Sequence, residues 1–133
     1  MKYTATFLAV LLLIGCTGTK AVYNQASTPV QYAKAVLLHH NALGAEAVSM
    51  INDPAVSAVT KDKVRAAYRA AVCSPEEVQV KTPTADCDAG PAYVLDGAII
   101  AFDVAGNAQT EAEVTAAANA FIPLVTALIR AIN

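Results

Sequence analysis

The sequence predicts an all-α domain: a small up-and-down bundle of about four helices, preceded by a signal peptide and a flexible tether and stapled by one disulfide. Three observations carry this expectation. From Cys16 onward, 27 of 118 residues are alanine and none is tryptophan, a composition that favours helix on intrinsic propensity. Four stretches place apolar residues at helical spacing. Capping boxes and Pro- or Gly-containing breaks separate those stretches, and short connections make consecutive helices antiparallel neighbours.

Thr28, Pro29 and Gln31 mark the start of the first helix, as cap, first helical residue and the far end of a Thr-x-x-Gln capping box. Through Ile51, the residues Ala33, Val36, Leu37, Leu43, Ala47, Val48, Met50 and Ile51 gather on one side. Asn52-Asp53-Pro54 ends it, because the residue before proline avoids the helical region. The second segment runs from Pro54 to Cys73. Val64, Tyr68, Ala71 and Val72 share a face there, whereas Val56 and Val59 point away. Thr60 is the expected cap, giving either a kink or a short turn before a helix from Lys61. Ser74-Pro75-Glu76-Glu77 is a further capping box, and residues 81–90 read as loop.

The third helix spans Pro91 to Ala105 and ends at Gly106-Asn107. It is apolar nearly all round. Leu95, Ala98, Ile99 and Phe102 form one face, Tyr93, Ile100 and Val104 a second, and Asp96 and Asp103 a narrow polar stripe. Such a helix is either central in the fold or covered by a partner, so the second face is a candidate partner surface. Thr110-Glu111-Ala112-Glu113 is the expected opening of the last helix. Its seam is Val114, Ala118, Phe121, Val125, Leu128 and Ile132, and Pro123 should bend it near Asn119.

Residues 1–15 carry a different signal. Lys2 precedes an apolar run over residues 3–14, a charged start and a short greasy stretch that describe a secretory signal peptide. Twelve residues of helix rise only ~18 Å against a bilayer core of ~30 Å, so the run is too short to span. It ends in Leu13-Ile14-Gly15-Cys16, which resembles the lipobox of bacterial lipoprotein precursors. The resemblance implies cleavage before Cys16 and covalent lipid on that cysteine. Several acyl chains anchor far more durably than one, at ~0.8 kcal/mol per buried CH₂. Residues 16–27 then serve as lipidated N-terminus and tether, and residues 28–133 as the helical domain. The expected location is the cell envelope, facing the periplasm, with Thr17 favouring the outer over the inner membrane.

Lipidation of Cys16 leaves Cys73 and Cys87 as a pair. In an oxidising compartment that pair reads as a disulfide, in preference to a redox-active pair or a metal site, because no Cys-x-x-Cys spacing or nearby histidine is present. From Cys16 onward there are eight Lys or Arg against eleven Asp or Glu, which excludes the concentrated basic surface of a nucleic-acid binder. Lys61, Arg65 and Arg69 form a basic stripe at i, i+4 and i+8, suited to anionic head groups or an acidic partner and more commonly a solvated face. His39 and His40 are adjacent, 100° apart on a helix, and cannot chelate together. A buried histidine bonded to a neighbour such as tyrosine is the expected role of His40. Asp96 and Asp103 have no histidine near them in sequence, and no nucleophile elbow, phosphate-binding loop or zinc signature occurs. No catalytic residue, metal site or cofactor beyond the lipid is assigned.

The lipobox, tether, successive helices, Cys73-Pro75-Cys87 grouping and terminal helix over residues 112–132 together resemble the small alanine-rich helical lipoproteins encoded by phages and prophages of Gram-negative bacteria. The likeness spans most of the chain as pattern and composition. It implies a non-catalytic, membrane-anchored interaction module, since some such proteins block superinfection by binding a receptor or the injection machinery. Two other readings compete. One is a structural envelope protein that self-associates through the third helix. The other is a bundle that takes a small ligand or metal near His40.

Overall fold

A computed structural model describes residues 26–74, 76–77 and 87–133. The signal peptide and the lipobox residues Leu13, Ile14, Gly15 and Cys16 lie outside the described residues. Four long helices form the predicted up-and-down bundle: α1 (Pro29–Asn52), α2 (Ala58–Val72), α3 (Pro91–Ala105) and α4 (Ala108–Ile132). No strand occurs among the described residues.

α1, α2 and α4 each begin where a side chain satisfies a backbone N–H group that has no partner inside the helix, whereas α3 starts at Gly90 and Pro91 without a side-chain cap. The Thr28 hydroxyl accepts from the Gln31 N–H at 3.2 Å. The Gln31 side-chain oxygen Oε1 accepts from the Ser27 N–H at 2.8 Å, so the box closes one residue earlier than the sequence suggests. At the other end of α1, Asp53 takes extended backbone angles before Pro54, and its carboxylate accepts from the Ala55 N–H at 2.8 Å.

Two helix starts differ from expectation, both by three residues. α2 is capped by Ser57, whose hydroxyl accepts from the Thr60 N–H at 3.2 Å, and the helix begins at Ala58 after a turn. α4 is capped by Asn107, not Thr110. The Asn107 side chain accepts from the Thr110 N–H at 2.9 Å, while the Thr110 hydroxyl accepts from the Asn107 N–H at 3.2 Å. Both threonines thus sit at the third helical position behind an upstream cap, and at Asn107 the bonds are reciprocal, a full capping box. Between α3 and α4 only Gly106 and Asn107 remain, and Gly106 turns the chain at φ 56°, where any other residue would be strained.

The core is built around α4, which packs against all three other helices. Its Val114, Ala118, Phe121, Val125 and Leu128 are buried, as the seam predicts, and Ile132 is half-buried. Val36 of α1, Val64 of α2 and Leu95 of α3 meet them and are fully buried. By length and composition α4 could cross a membrane. Its apolar face is the one the bundle encloses. Pro123 lies inside α4 on an exposed position, and Asn119, whose carbonyl loses its N–H partner to that proline, is exposed as well. Water can satisfy that carbonyl, which is why the proline is accommodated there.

The disulfide is present. Cys73 and Cys87 are both buried, with Cα atoms 5.0 Å apart and sulfurs bonded at 2.04 Å. It joins the C-terminus of α2 to the approach of α3. Here Gly90 is obligatory, because a Cβ on it would lie 2.2 Å from the Val72 carbonyl carbon and oxygen. Beside the bridge, Ser74 and Glu77 form the expected capping box: the Glu77 N–H donates to Ser74 at 3.2 Å and the Ser74 N–H donates to Glu77 at 3.0 Å.

Candidate functional site

α3 settles its two apolar faces unequally. Leu95 and Ile99 are buried and Ala98 and Phe102 half-buried against the bundle. The second face stays outside: Tyr93 is 47% exposed, Ile100 57% and Val104 84%, with Val94 beside them at 58%. Helical spacing sets positions 93, 97, 100 and 104 along one stripe, with Gly97 at its middle. A Cβ on Gly97 would meet nothing within 4 Å, so no packing within the domain requires glycine. Gly97→Ala should therefore raise stability by about 1 kcal/mol through helix propensity alone, read as a shift in the urea midpoint at constant slope.

Where α1, α2 and α3 meet opens a cleft of about 220 Å³. Its polar wall is His40 and Asn41 from α1, Tyr68 from α2, and Tyr93 and Asp96 from α3. His40 is 3% exposed. The expected hydrogen bond is not made at its Nδ1, which is buried with no partner. Ring contacts hold the imidazole instead: Tyr68 lies nearly parallel at 6.1 Å between centroids, and Phe121 meets it edge-on at 5.0 Å. Sequence reasoning placed His40 on the buried face. It did not bring Asn41, Tyr68 and Asp96 to it, since those contacts exist only once three helices meet.

The Cys73–Cys87 bridge has an unexpected companion. The Glu77 carboxylate also accepts from the N–H groups of Asp88 at 2.9 Å and Ala89 at 3.3 Å, so it holds both flanks of the disulfide. The Asp88 N–H foremost, and then the Ser74 N–H, pull its pKa from 4.5 to about 2. Cys73, Glu77 and Cys87 bring their ligand-type atoms within 4.8 Å of one another. The sulfurs are bonded to each other and the carboxylate is occupied by backbone N–H groups, so the cluster serves as a structural clip. The capping-box pattern revealed Glu77. Nothing in it pointed to residues 88 and 89.

The basic stripe has an acidic neighbour on its own helix. Lys61, Arg65 and Arg69 follow one another along α2, all half-buried, and Arg65 pairs with Asp62 at 2.8 Å. Asp103, on the polar stripe of α3, pairs with Lys34 of α1 at 3.0 Å, an exposed ion pair worth at most ~1 kcal/mol.

Acid should weaken this fold in two stages. Burial lowers the pKa values of His39 and His40 below 6.5, and for His40 the neighbouring His39 charge adds to it. The unfolded chain then binds more protons than the folded one below pH 6.5, so stability falls as pH drops from 6.5. Glu77 contributes stability above pH 4.5 that is lost towards about 2. Urea midpoints should decline between pH 7.5 and 5.5, and the decline should vanish in a His39→Gln/His40→Gln variant. A flat wild-type midpoint over that interval would contradict the histidine stage.

Searches with the whole chain return no matching family model, curated protein or solved structure.

Proposed function

We propose that this chain is a lipid-anchored, periplasm-facing envelope protein that acts as a non-catalytic interaction module, modulating or masking another envelope protein as some phage-encoded lipoproteins do. The observation that carries the proposal is the outward apolar face of α3. Tyr93, Ile100 and Val104 are exposed on a helix whose opposite side is committed to the core. Contiguous apolar surface of this kind marks interaction sites. The sequence Leu13-Ile14-Gly15-Cys16 supports anchoring through lipid on Cys16, which would keep that face within a tether's reach of a membrane and raise its effective concentration towards membrane partners. The mildly acidic balance supports a protein partner over nucleic acid.

The test is in-cell crosslinking of the full chain from a photoreactive residue at position 100, followed by mass spectrometry of the adducts. One abundant envelope protein is expected, with the adduct lost in Cys16→Ala and strongly reduced in Val104→Glu. Adducts with the chain itself alone would replace this reading by a self-associating structural component. No adduct, with the protein correctly localised, would remove the case for an interaction module.

A further inference from the structure

We propose that the cleft between α1, α2 and α3 binds an organic cation, an alkylguanidinium or alkylammonium group, with its charge against Asp96 and the ring faces of Tyr68 and Tyr93. This site borders the outward face of α3 and shares only Tyr93 with it, and it stands whether or not that face docks a partner.

The lining decides the charge of the ligand. Among the described residues, Asp96 is the one formally charged group in the wall, and no Lys or Arg lines it. Two tyrosine rings and an imidazole add electron-rich faces, which attract cations and repel anions. The Asn41 side chain supplies a neutral carbonyl acceptor and two N–H donors. His40 does not oppose a cation, because burial keeps its imidazole in the neutral form at pH 7. An anion would face Asp96 uncompensated. A purely apolar ligand would make no use of Asp96 or Asn41, which stand at exposed positions of the wall.

The rest of the wall suits the stem of such a ligand. Leu37, Val72 and Ala92 give the cleft an apolar side along which an alkyl chain can lie. Half-exposed Tyr93 stands at the mouth, whereas His40 is deeply buried and fixed between Tyr68 and Phe121. The site is therefore rigid at its base and accessible at its rim.

The chain has only two histidines, so selective ¹³C labelling of histidine gives two ring signals in the full-length protein in detergent. Titration with n-butylguanidinium should move the His40 signal saturably and the His39 signal much less, while n-butanol and butyrate produce no saturable shift. Asp96→Asn, at an exposed position, should weaken binding by roughly fivefold or more, and Tyr93→Leu, which keeps the apolar bulk, by a similar factor. Equal responses to butyrate and butylguanidinium, or unchanged affinity in Asp96→Asn, would overturn the proposal. Crosslinking in cells from position 38, exposed on α1 beside Leu37 of the cleft wall, then separates two sources of the cation. A protein adduct competed by added n-butylguanidinium assigns it to a partner's side chain, and its absence alongside intact butylguanidinium binding assigns it to a free small molecule.

Discussion

A Cys73→Ala/Cys87→Ala variant should lose about 3 kcal/mol of stability, the chain-entropy value for closing a loop of roughly fifteen residues. For a domain of this size that is a fall of roughly 12–20 °C in melting temperature, measurable by circular dichroism. The magnitude follows from what the bridge restrains. Without it, the connection between α2 and α3 is open, and the native state must bring residues 73 and 87 together by weaker means. The structure shows those means: the Glu77 carboxylate binds the N–H groups of residues 74, 88 and 89. The two devices act on the same closure, so their effects should not add. Glu77→Gln should cost little in the oxidised protein and distinctly more in the double-alanine background, a coupling that a double-mutant cycle isolates. A melting shift below about 3 °C in the double-alanine variant would mean that the carboxylate clip alone suffices.

How far the sequence foretold this molecule depended on the range of the interaction involved. α3 was legible at both ends because Pro91 and Gly106 act locally, one fitting the first helical turn and the other adopting a left-handed conformation. The α4 seam was legible because a one-sided apolar pattern needs no knowledge of the partner helix. The starts of α2 and α4 were misplaced for a specific reason. Ser57 and Thr60, like Asn107 and Thr110, are both cap-forming types three apart, and only the direction of the hydrogen bonds tells which one caps. The two apolar faces of α3 were visible on a helical wheel, yet the wheel cannot say which one the bundle covers. That choice is made by α4 and α1. The cleft was invisible for the same reason: His40, Tyr68 and Asp96 stand on three different helices, and no local pattern links them.

Phe121→Ala should be the most damaging single substitution in the domain, at about 3–5 kcal/mol. Among the described residues Phe121 is the largest fully buried side chain, and it belongs to the helix on which the other three converge. The loss combines the transfer free energy of the ring with the cavity it leaves, since an interior lined by Val36, Val64 and Leu95 cannot collapse fully into the gap. Phe121→Leu, which keeps most of the volume, should cost clearly less. The same substitution reaches the cleft. Phe121 meets the His40 ring edge-on at 5.0 Å and closes it from beneath. With the phenyl group removed, water gains access to the imidazole, the charged form is less disfavoured, and the His40 pKa should rise back towards 6.5. Histidine-selective NMR titration of Phe121→Ala, at a temperature where it remains folded, reads that change directly. A destabilised variant with an unaltered His40 titration would show that Tyr68 and the helix backbones, rather than Phe121, keep the imidazole dry. A variant with little loss of stability would show that the bundle repacks without its central ring, and the core described here would then need a different centre.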